Sequence, residues 1–349
     1  MTPNNFALTS LSANPEYFED VIRLIEESFH YSETHHYEID FAPLVNPLNF
    51  ENCFLFIDSE TNTVAAHLAI CKRVMIKNNF ELSVALVGGI ATNKKFRGLG
   101  LFQKLMDHAI QSFQKEVGLF ILWSELENLY EKFSFYRTGG LIETGKRNFS
   151  ASERPSGYEK TKFPALSDKE FKTIINLYST FNEKYFFTVK REDKDWSIIR
   201  EMNSIDLYVK KNSSDEIIKY FCVNKGRDLT NIIHEISCKP SEMSIILKDL
   251  ENFKLWLPET EISTFMSSEV FYTAFMRFGS LPILNIFLSL LTNDDLKVLS
   301  LDEQVRFQFK DKEFGASKKE FLQYLFGPKP LAEFENYKLS LYIPGTDSI

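Results

Sequence analysis

The sequence predicts an α/β fold of the mixed, α+β kind, built from two units joined by a polar linker. Three observations carry that expectation. Val84–Ile90 is an apolar run with several β-branched residues, as expected of a strand covered on both faces. Leu101, Leu105, Ala109 and Phe113 recur at four-residue spacing, with Phe102, Met106 and Ile110 beside them, which lays one wide apolar face along a helix. Val117–Trp123 is a second apolar strand, so strand, helix and strand follow at the spacing of a right-handed parallel crossover.

Composition bounds the class. The chain has 349 residues, enough for two domains that each bury a core, and its 44% hydrophobic and 25% charged residues are those of a globular protein. Its 33 phenylalanines predict aromatic-rich interiors. No apolar run reaches the roughly eighteen residues that a membrane helix needs, and no secretory leader is visible, so a cytoplasmic protein without a membrane partner is expected. The net charge of -8 argues against nucleic-acid binding, which needs a basic surface, and suits a cationic acceptor. Cys53, Cys71, Cys222 and Cys238 form no C-x-x-C or Cys/His cluster, which predicts small core residues rather than disulfides or a metal site.

In chain order, Asn14-Pro15 caps a helix from about Glu16 to Phe29 whose apolar face is Phe18, Val21, Ile22, Leu24, Ile25 and Phe29. The polar stretch Ser32–Asn52, with its prolines, reads as a loop that holds a short second helix. Phe54–Ile57 and Val64–Ile76 read as a hairpin, and Lys77-Asn78-Asn79 as the turn into the strand that ends at Ile90. After the strand Val117–Trp123 comes a short helix, Ser124–Phe133, and then a strand, Leu141–Phe149. Ser150–Lys162, rich in Ser, Pro, Gly and Glu, is the linker. Beyond it the pattern predicts helices at Asp168–Phe181 and Arg191–Met202. Strands at Asp206–Val209, Ile217–Val223 and Leu229–Ser237 and a helix at Glu242–Asn252 follow. From Phe265 the pattern weakens: Phe271–Phe287 is apolar, Val298–Phe309 strand-like and Lys318–Phe326 helical. An apolar tail ending at Ile349 is expected to dock.

Between the central strand and its helix lies Thr92-Asn93-Lys94-Lys95-Phe96-Arg97-Gly98-Leu99-Gly100. The first turn of a helix has amide N–H groups without partners and about half a positive charge, so a phosphate fits there. Gly98 and Gly100 keep the backbone approachable, and Lys94, Lys95 and Arg97 add positive charge. A bare G-x-G is also an ordinary strand-to-helix connection. Here Lys95-Phe96-Arg97-Gly98-Leu99-Gly100 resembles motif A of the GNAT superfamily of N-acetyltransferases, Arg/Gln-x-x-Gly-x-Gly/Ala, with Lys in the first position.

That resemblance extends over residues 1–150, whose order of helix, hairpin strands, strand, helix, strand and helix is similar to a whole GNAT domain. It implies a catalytic domain that uses acetyl-CoA as cosubstrate. The parallel strand pair would splay apart, with main-chain groups at Ile90, Ala91 and Thr92 facing the pantetheine and Lys95, Phe96, Arg97, Gly98, Leu99, Gly100 and Leu101 holding the diphosphate. Residues 163–349 repeat the element order without a basic glycine loop, which resembles a second, degenerate GNAT-like unit plus a tail, as in Eis-type enzymes. Each unit would then be a mixed, mostly antiparallel sheet flanked by helices.

The same resemblance implies the catalytic groups. Tyr130-Glu131-Lys132-Phe133-Ser134-Phe135 is similar to the family's Tyr-x-x-x-Gly-Phe, which makes Tyr130 the general acid, with Ser134 in place of Gly. Ile349 is the second candidate, because in Eis-type enzymes the chain terminus enters the active site and its carboxylate can take the ammonium proton. A base is not legible among Glu26, Glu27, His30, His35 and His36, which a solvated polar turn explains more cheaply, and His67, His108 and His234 read as structural or surface residues. The expected reaction is direct attack of an amine on the thioester, the amine being a small molecule or a peptide. A catalytically inactive acyl-CoA sensor or interaction module is the alternative, and self-association is left open.

Overall fold

The computed structural model describes residues 5–32, 35–145, 157–247, 253–259, 268–328, 339 and 341–349. The chain begins β1 (Phe6–Ser10), α1 (Phe18–Phe29), α2 (Tyr37–Asp40), β2 (Cys53–Asp58), β3 (Thr63–Lys77) and β4 (Phe80–Thr92). Then come α3 (Leu101–Phe113), β5 (Leu119–Leu122), α4 (Glu127–Tyr130) and β6 (Tyr136–Gly145). Next are β7 (Glu159–Thr161), α5 (Asp168–Tyr185), β8 (Phe187–Lys190), α6 (Asp193–Glu201), β9 (Asp206–Lys211) and β10 (Ile217–Val223). They are followed by β11 (Ile232–Ile236), α7 (Pro240–Ile246), β12 (Lys254–Pro258), β13 (Ser268–Phe278) and α8 (Leu281–Thr292). The last are β14 (Leu296–Leu301), β15 (Val305–Phe309), β16 (Lys312–Ala316), α9 (Lys318–Phe326) and β17 (Leu341–Tyr342).

One large sheet runs in the order β1-β2-β3-β4-β5-β13-β6-β12-β11-β10-β9-β7, with β8 and β17 attached beside β3. It is mostly antiparallel. The expected crossover makes β4 and β5 parallel around α3, and β11 and β12 are parallel around α7 in the same way. Both halves of the chain thus use one arrangement, in a mixed sheet flanked by helices.

Some elements differ from the sequence pattern, each for a local reason. The apolar run Phe271–Phe287 divides into β13 and α8 at Gly279, where a Cβ would lie 2.2 Å from the Val117 carbonyl oxygen. Ser280 then caps α8 by accepting from the Ile283 amide. The run Val298–Phe309 is two strands, β14 and β15, which with β16 form a separate antiparallel sheet. Phe307 stacks there on Phe314 and Phe321, with ring centroids 5.4 and 4.6 Å apart. Part of the linker, Glu159–Thr161, pairs as β7 with β9, and Lys160 and Lys162 both reach Asp206, at 2.9 and 2.7 Å. The strand expected over Leu141–Phe149 starts at Tyr136, and its residues beyond Gly145 lie outside the described residues, as does the end of the helix expected to reach Asn252.

β13 has the largest consequence. It lies between β5 and β6, pairing Met276 with Ile121 on one side and Ala274 with Thr138 on the other. The sheet around β4 is therefore completed by a strand that arrives late in the chain. On one face of it the core is built from α1, α8 and the small sheet, including Val21, Ile25, Phe287 and Phe307. On the other it is built from α3 and the segment after β5, including Leu105, Met106, Tyr130 and Phe275. All four cysteines are buried and free. Among the described residues no helix is long and apolar enough to cross a membrane.

Candidate active site

The site is built on the place where β4 parts from β5 and bulges against β3. It pairs with β5 at Val84–Leu119, Ala85–Phe120 and Leu86–Ile121, and there the pairing ends, so from Val87 onward the β5 side of β4 is open. On the β3 side Gly88 faces Ala69 and Ala91 faces His67, so Gly89 and Ile90 together oppose the single residue Leu68. This is a β-bulge. Gly89 takes φ +60° at it, the left-handed conformation that a glycine adopts without strain. The backbone of Gly89 is held by side chains instead of by the ladder: His67 Nδ1 lies 2.8 Å from its carbonyl oxygen, and the buried Tyr37 phenol also bonds its backbone.

β4 runs directly into the basic loop. Asn93 accepts from the Lys95 amide at 3.1 Å and caps a single turn, Lys94–Phe96. Arg97 Nε donates back to the Thr92 carbonyl at 3.3 Å. Gly98 and Gly100 then take φ of +81° and +76°, which turns the chain into α3. Lys104 donates to the Gly100 carbonyl, and the amides of Leu101, Phe102 and Gln103 ahead of it have no acceptor within the helix. A Cβ on Gly98 or Gly100 would meet no atom within 4 Å, so both peptides face open space. Lys94, Lys95 and Arg97 are exposed around them. The loop thus presents amide donors and positive charge at the start of α3, and Ile90, Ala91 and Thr92 follow along the opened edge of β4.

Tyr130 stands across this opening. Its ring is buried against Phe102 of α3, Phe135 and Phe275, with centroids 6.1, 6.4 and 6.0 Å away. Phe102 follows Leu101 directly, so the structure brings Tyr130 and the basic loop together. Burial pushes the phenol pKa up, and the Ser124 hydroxyl bonded to it pulls the other way. Ser134, where the family pattern has Gly, takes φ +61° and closes the turn that a glycine would close, with the Phe135 amide donating to the Tyr130 carbonyl at 3.2 Å. Two cations clamp α4 from outside: Arg137 lies 3.3 Å from Glu127, and Lys319 3.3 Å from Glu127 and Glu131.

Ile349 also reaches β4. Its side-chain carbons lie 3.2 and 3.3 Å from the point where a Cβ on Gly88 would sit, so the missing side chain at Gly88 is what seats the tail beside the bulge. A buried ionic cluster holds the tail there. Arg191, stacked on Tyr178 at 3.8 Å, forks between Glu235 and Asp347. The Thr346 hydroxyl donates to Glu235, and Lys225 Nζ donates to the Gly345 carbonyl, each at 2.7 Å. Burial pushes Glu235 up, but Arg191 and hydrogen bonds from Tyr220 and Thr346 outweigh it and leave the carboxyl below its ordinary range. For Asp347 burial outweighs Arg191 and the pKa is raised, while burial lowers Lys225 to about 7. None of these anchors was singled out in the sequence. Their only signal is a lone charge in an apolar segment, such as Glu235 between Ile233 and Ile236.

A cavity of about 520 Å³ opens between α1 and the loop, lined by Arg23, Glu26, Glu27, His30, Tyr31 and Lys94. It gathers three of the candidate bases, Glu26, Glu27 and His30. His35 is elsewhere, 4.0 Å from the buried Asp40. Among the described residues no group of three or more His, Cys, Asp or Glu is placed to hold a metal ion.

A splayed parallel pair, a bulged central strand and a glycine-rich helix start are the features expected from the resemblance to GNAT acyltransferases. Residues 11–138 match the family model described as an acetyltransferase (GNAT) domain. That part of the chain is an acetyltransferase domain of the GNAT kind. Solved structures with the same fold include a GCN5-related N-acetyltransferase from Anabaena variabilis ATCC 29413 (TM-score 0.61, 14% identity, 99% of this chain and 100% of that one). Others are Eis1 from Mycobacterium abscessus (TM-score 0.58, 9% identity, 99% and 98%) and a GCN5-related N-acetyltransferase from Kribbella flavida (TM-score 0.56, 11% identity, 90% and 84%). At such identities the likeness is one of fold. No curated protein matches the chain.

Proposed function

We propose that the protein transfers an acetyl group from acetyl-CoA to an amine, small molecule or peptide, by direct attack of the amine on the thioester. The observation that carries this reading is the open edge of β4 beyond Leu86, which leads without interruption into unpaired amides at the start of α3. Glycines at 98 and 100 leave that start clear, so the residues present fit a bound diphosphate. When bound, acetyl-CoA supplies an activated acyl carbon and a thiolate leaving group.

The chain's own groups then have distinct tasks. Peptide N–H groups at the bulge donate to the thioester oxygen, where negative charge grows as the amine nitrogen bonds to the carbon. Tyr130 gives its proton to the sulfur as the carbon–sulfur bond breaks. The ammonium proton goes to the Ile349 carboxylate, a role supported by the seat of that residue at Gly88. In this reading residues 1–150 are the catalytic unit and residues 163–349 a second, degenerate unit that anchors the tail and shapes the acceptor side.

The test is free-thiol release from acetyl-CoA with a panel of amines. Release that depends on the amine is expected. Tight binding of CoA without release by any amine would instead leave an acyl-CoA sensor.

A further inference from the structure

His67 interrupts the apolar stretch Val64–Ile70 and is wholly buried. Removing an imidazole from water without hydrogen bonds costs several kcal/mol at most sites, so its one bond is informative. A carbonyl oxygen only accepts, so the proton of the neutral ring must be on Nδ1, which faces the Gly89 oxygen at 2.8 Å. The other nitrogen, Nε2, is buried with no partner. The ring also fills the space that a side chain at Gly89 would need, its Cε1 being 3.1 Å from that Cβ position.

In a trans peptide the carbonyl and the following N–H point in opposite directions. Holding the Gly89 carbonyl toward the imidazole therefore turns the Ile90 N–H away from it. Ile90 is skipped in the register with β3, because it is part of the bulge, and β5 has already diverged. We infer that His67 is a positioning residue: through the Gly89–Ile90 peptide it aims the Ile90 N–H at the thioester oxygen. This rests on the acetyl-transfer reading above. His67 touches no reacting atom and works as a fixed donor, in its neutral form.

The two ring nitrogens allow a specific test. The amide nitrogen of Asn reproduces the position of Nδ1, that of Gln the position of Nε2, and Leu neither. His67→Asn should keep kcat within about threefold of the wild type, whereas His67→Leu and His67→Gln should lower it by about tenfold or more. KM for acetyl-CoA and the dissociation constant of CoA should change little in all three. If His67→Leu does not fold, the Asn and Gln pair carries the comparison. Equal kcat in the Asn and Gln variants, a kcat within twofold of the wild type for Leu, or loss of CoA affinity in parallel with kcat would overturn the assignment. A wild type that turns over no amine would instead sink the enzymatic reading itself, whatever the variants do.

Discussion

Arg191 and Asp347 are 156 residues apart in sequence and meet in a buried fork, with Nε and Nη2 at 3.0 and 2.7 Å from Oδ2. Glu235 occupies the other side of the same guanidinium, its Oε1 3.1 Å from Nη1. One cation thus holds two carboxylates. Arg191→Met removes the cation that both carboxylates share while leaving them buried, and is expected to destabilise by about 3–5 kcal/mol. Asp347→Asn keeps the shape and a weaker hydrogen bond, and should cost about 1–3 kcal/mol. Urea unfolding measures both; equal losses would contradict this account of the cluster.

Gly98→Ala and Gly100→Ala separate backbone strain from ligand contact. Both positions have positive φ, so each substitution is expected to lower stability by about 1 kcal/mol, and no more, because the added Cβ meets nothing in the free protein. The same Cβ points into the space proposed for the diphosphate. Melting temperatures with and without CoA should show a small loss in the free variants and a much reduced shift on adding CoA. A full shift would remove the loop from the binding site.

Stability should fall on the acid side of neutrality for a nameable reason. Burial lowers the pKa of both His67 and His234 to about 4. His234 Nε2 lies 2.8 Å from the Asn224 carbonyl, with Glu235, Lys225 and Arg191 as its charged neighbours. Between about pH 4 and 6.5 the unfolded chain binds protons that the folded rings refuse. The stability contributed by the neutral rings is therefore complete above about pH 6.5 and lost as pH falls toward 4, by about 3 kcal/mol per ring. His234→Asn should flatten that part of the pH curve in denaturant titrations; an unchanged slope would refute the assignment.

Tyr130→Phe keeps every ring contact of Tyr130 and removes only the hydroxyl. The melting temperature should change little, and kcat should drop by roughly a hundredfold with KM for acetyl-CoA near its wild-type value. Unchanged kcat would exclude Tyr130 as the acid.

Much of the site was legible because it is local. Gly88 and Gly89 inside an apolar strand signal a bulge, and the glycines at 98 and 100 ahead of an amphipathic helix signal its anion-ready start; both depend on backbone conformation over a few residues. What could not be read depends on distant partners. Nothing in Ser268–Phe278 says that it will lie between β5 and β6, because an apolar strand fits any sheet interior. His67 reads from the sequence only as a structural or surface residue, because its bond to Gly89 exists only once β3 and β4 are in register. The tail was expected to dock from its apolar residues, and Leu341, Tyr342 and Ile349 do pack, but the charges on Arg191, Asp347 and Lys225 that also hold it have partners far away in the chain.

The place of β13 also orders events during synthesis. When residues 1–150 have left the ribosome, the facing edges of β5 and β6 still lack the strand that will lie between them, and more than a hundred further residues must be translated before it arrives. Until then the nascent chain carries two hydrogen-bonding edges open to any passing strand. The segment Met1–Ser150 made alone should consequently be sticky and poorly soluble, and the enzyme can mature only after its last third has been threaded back into its first.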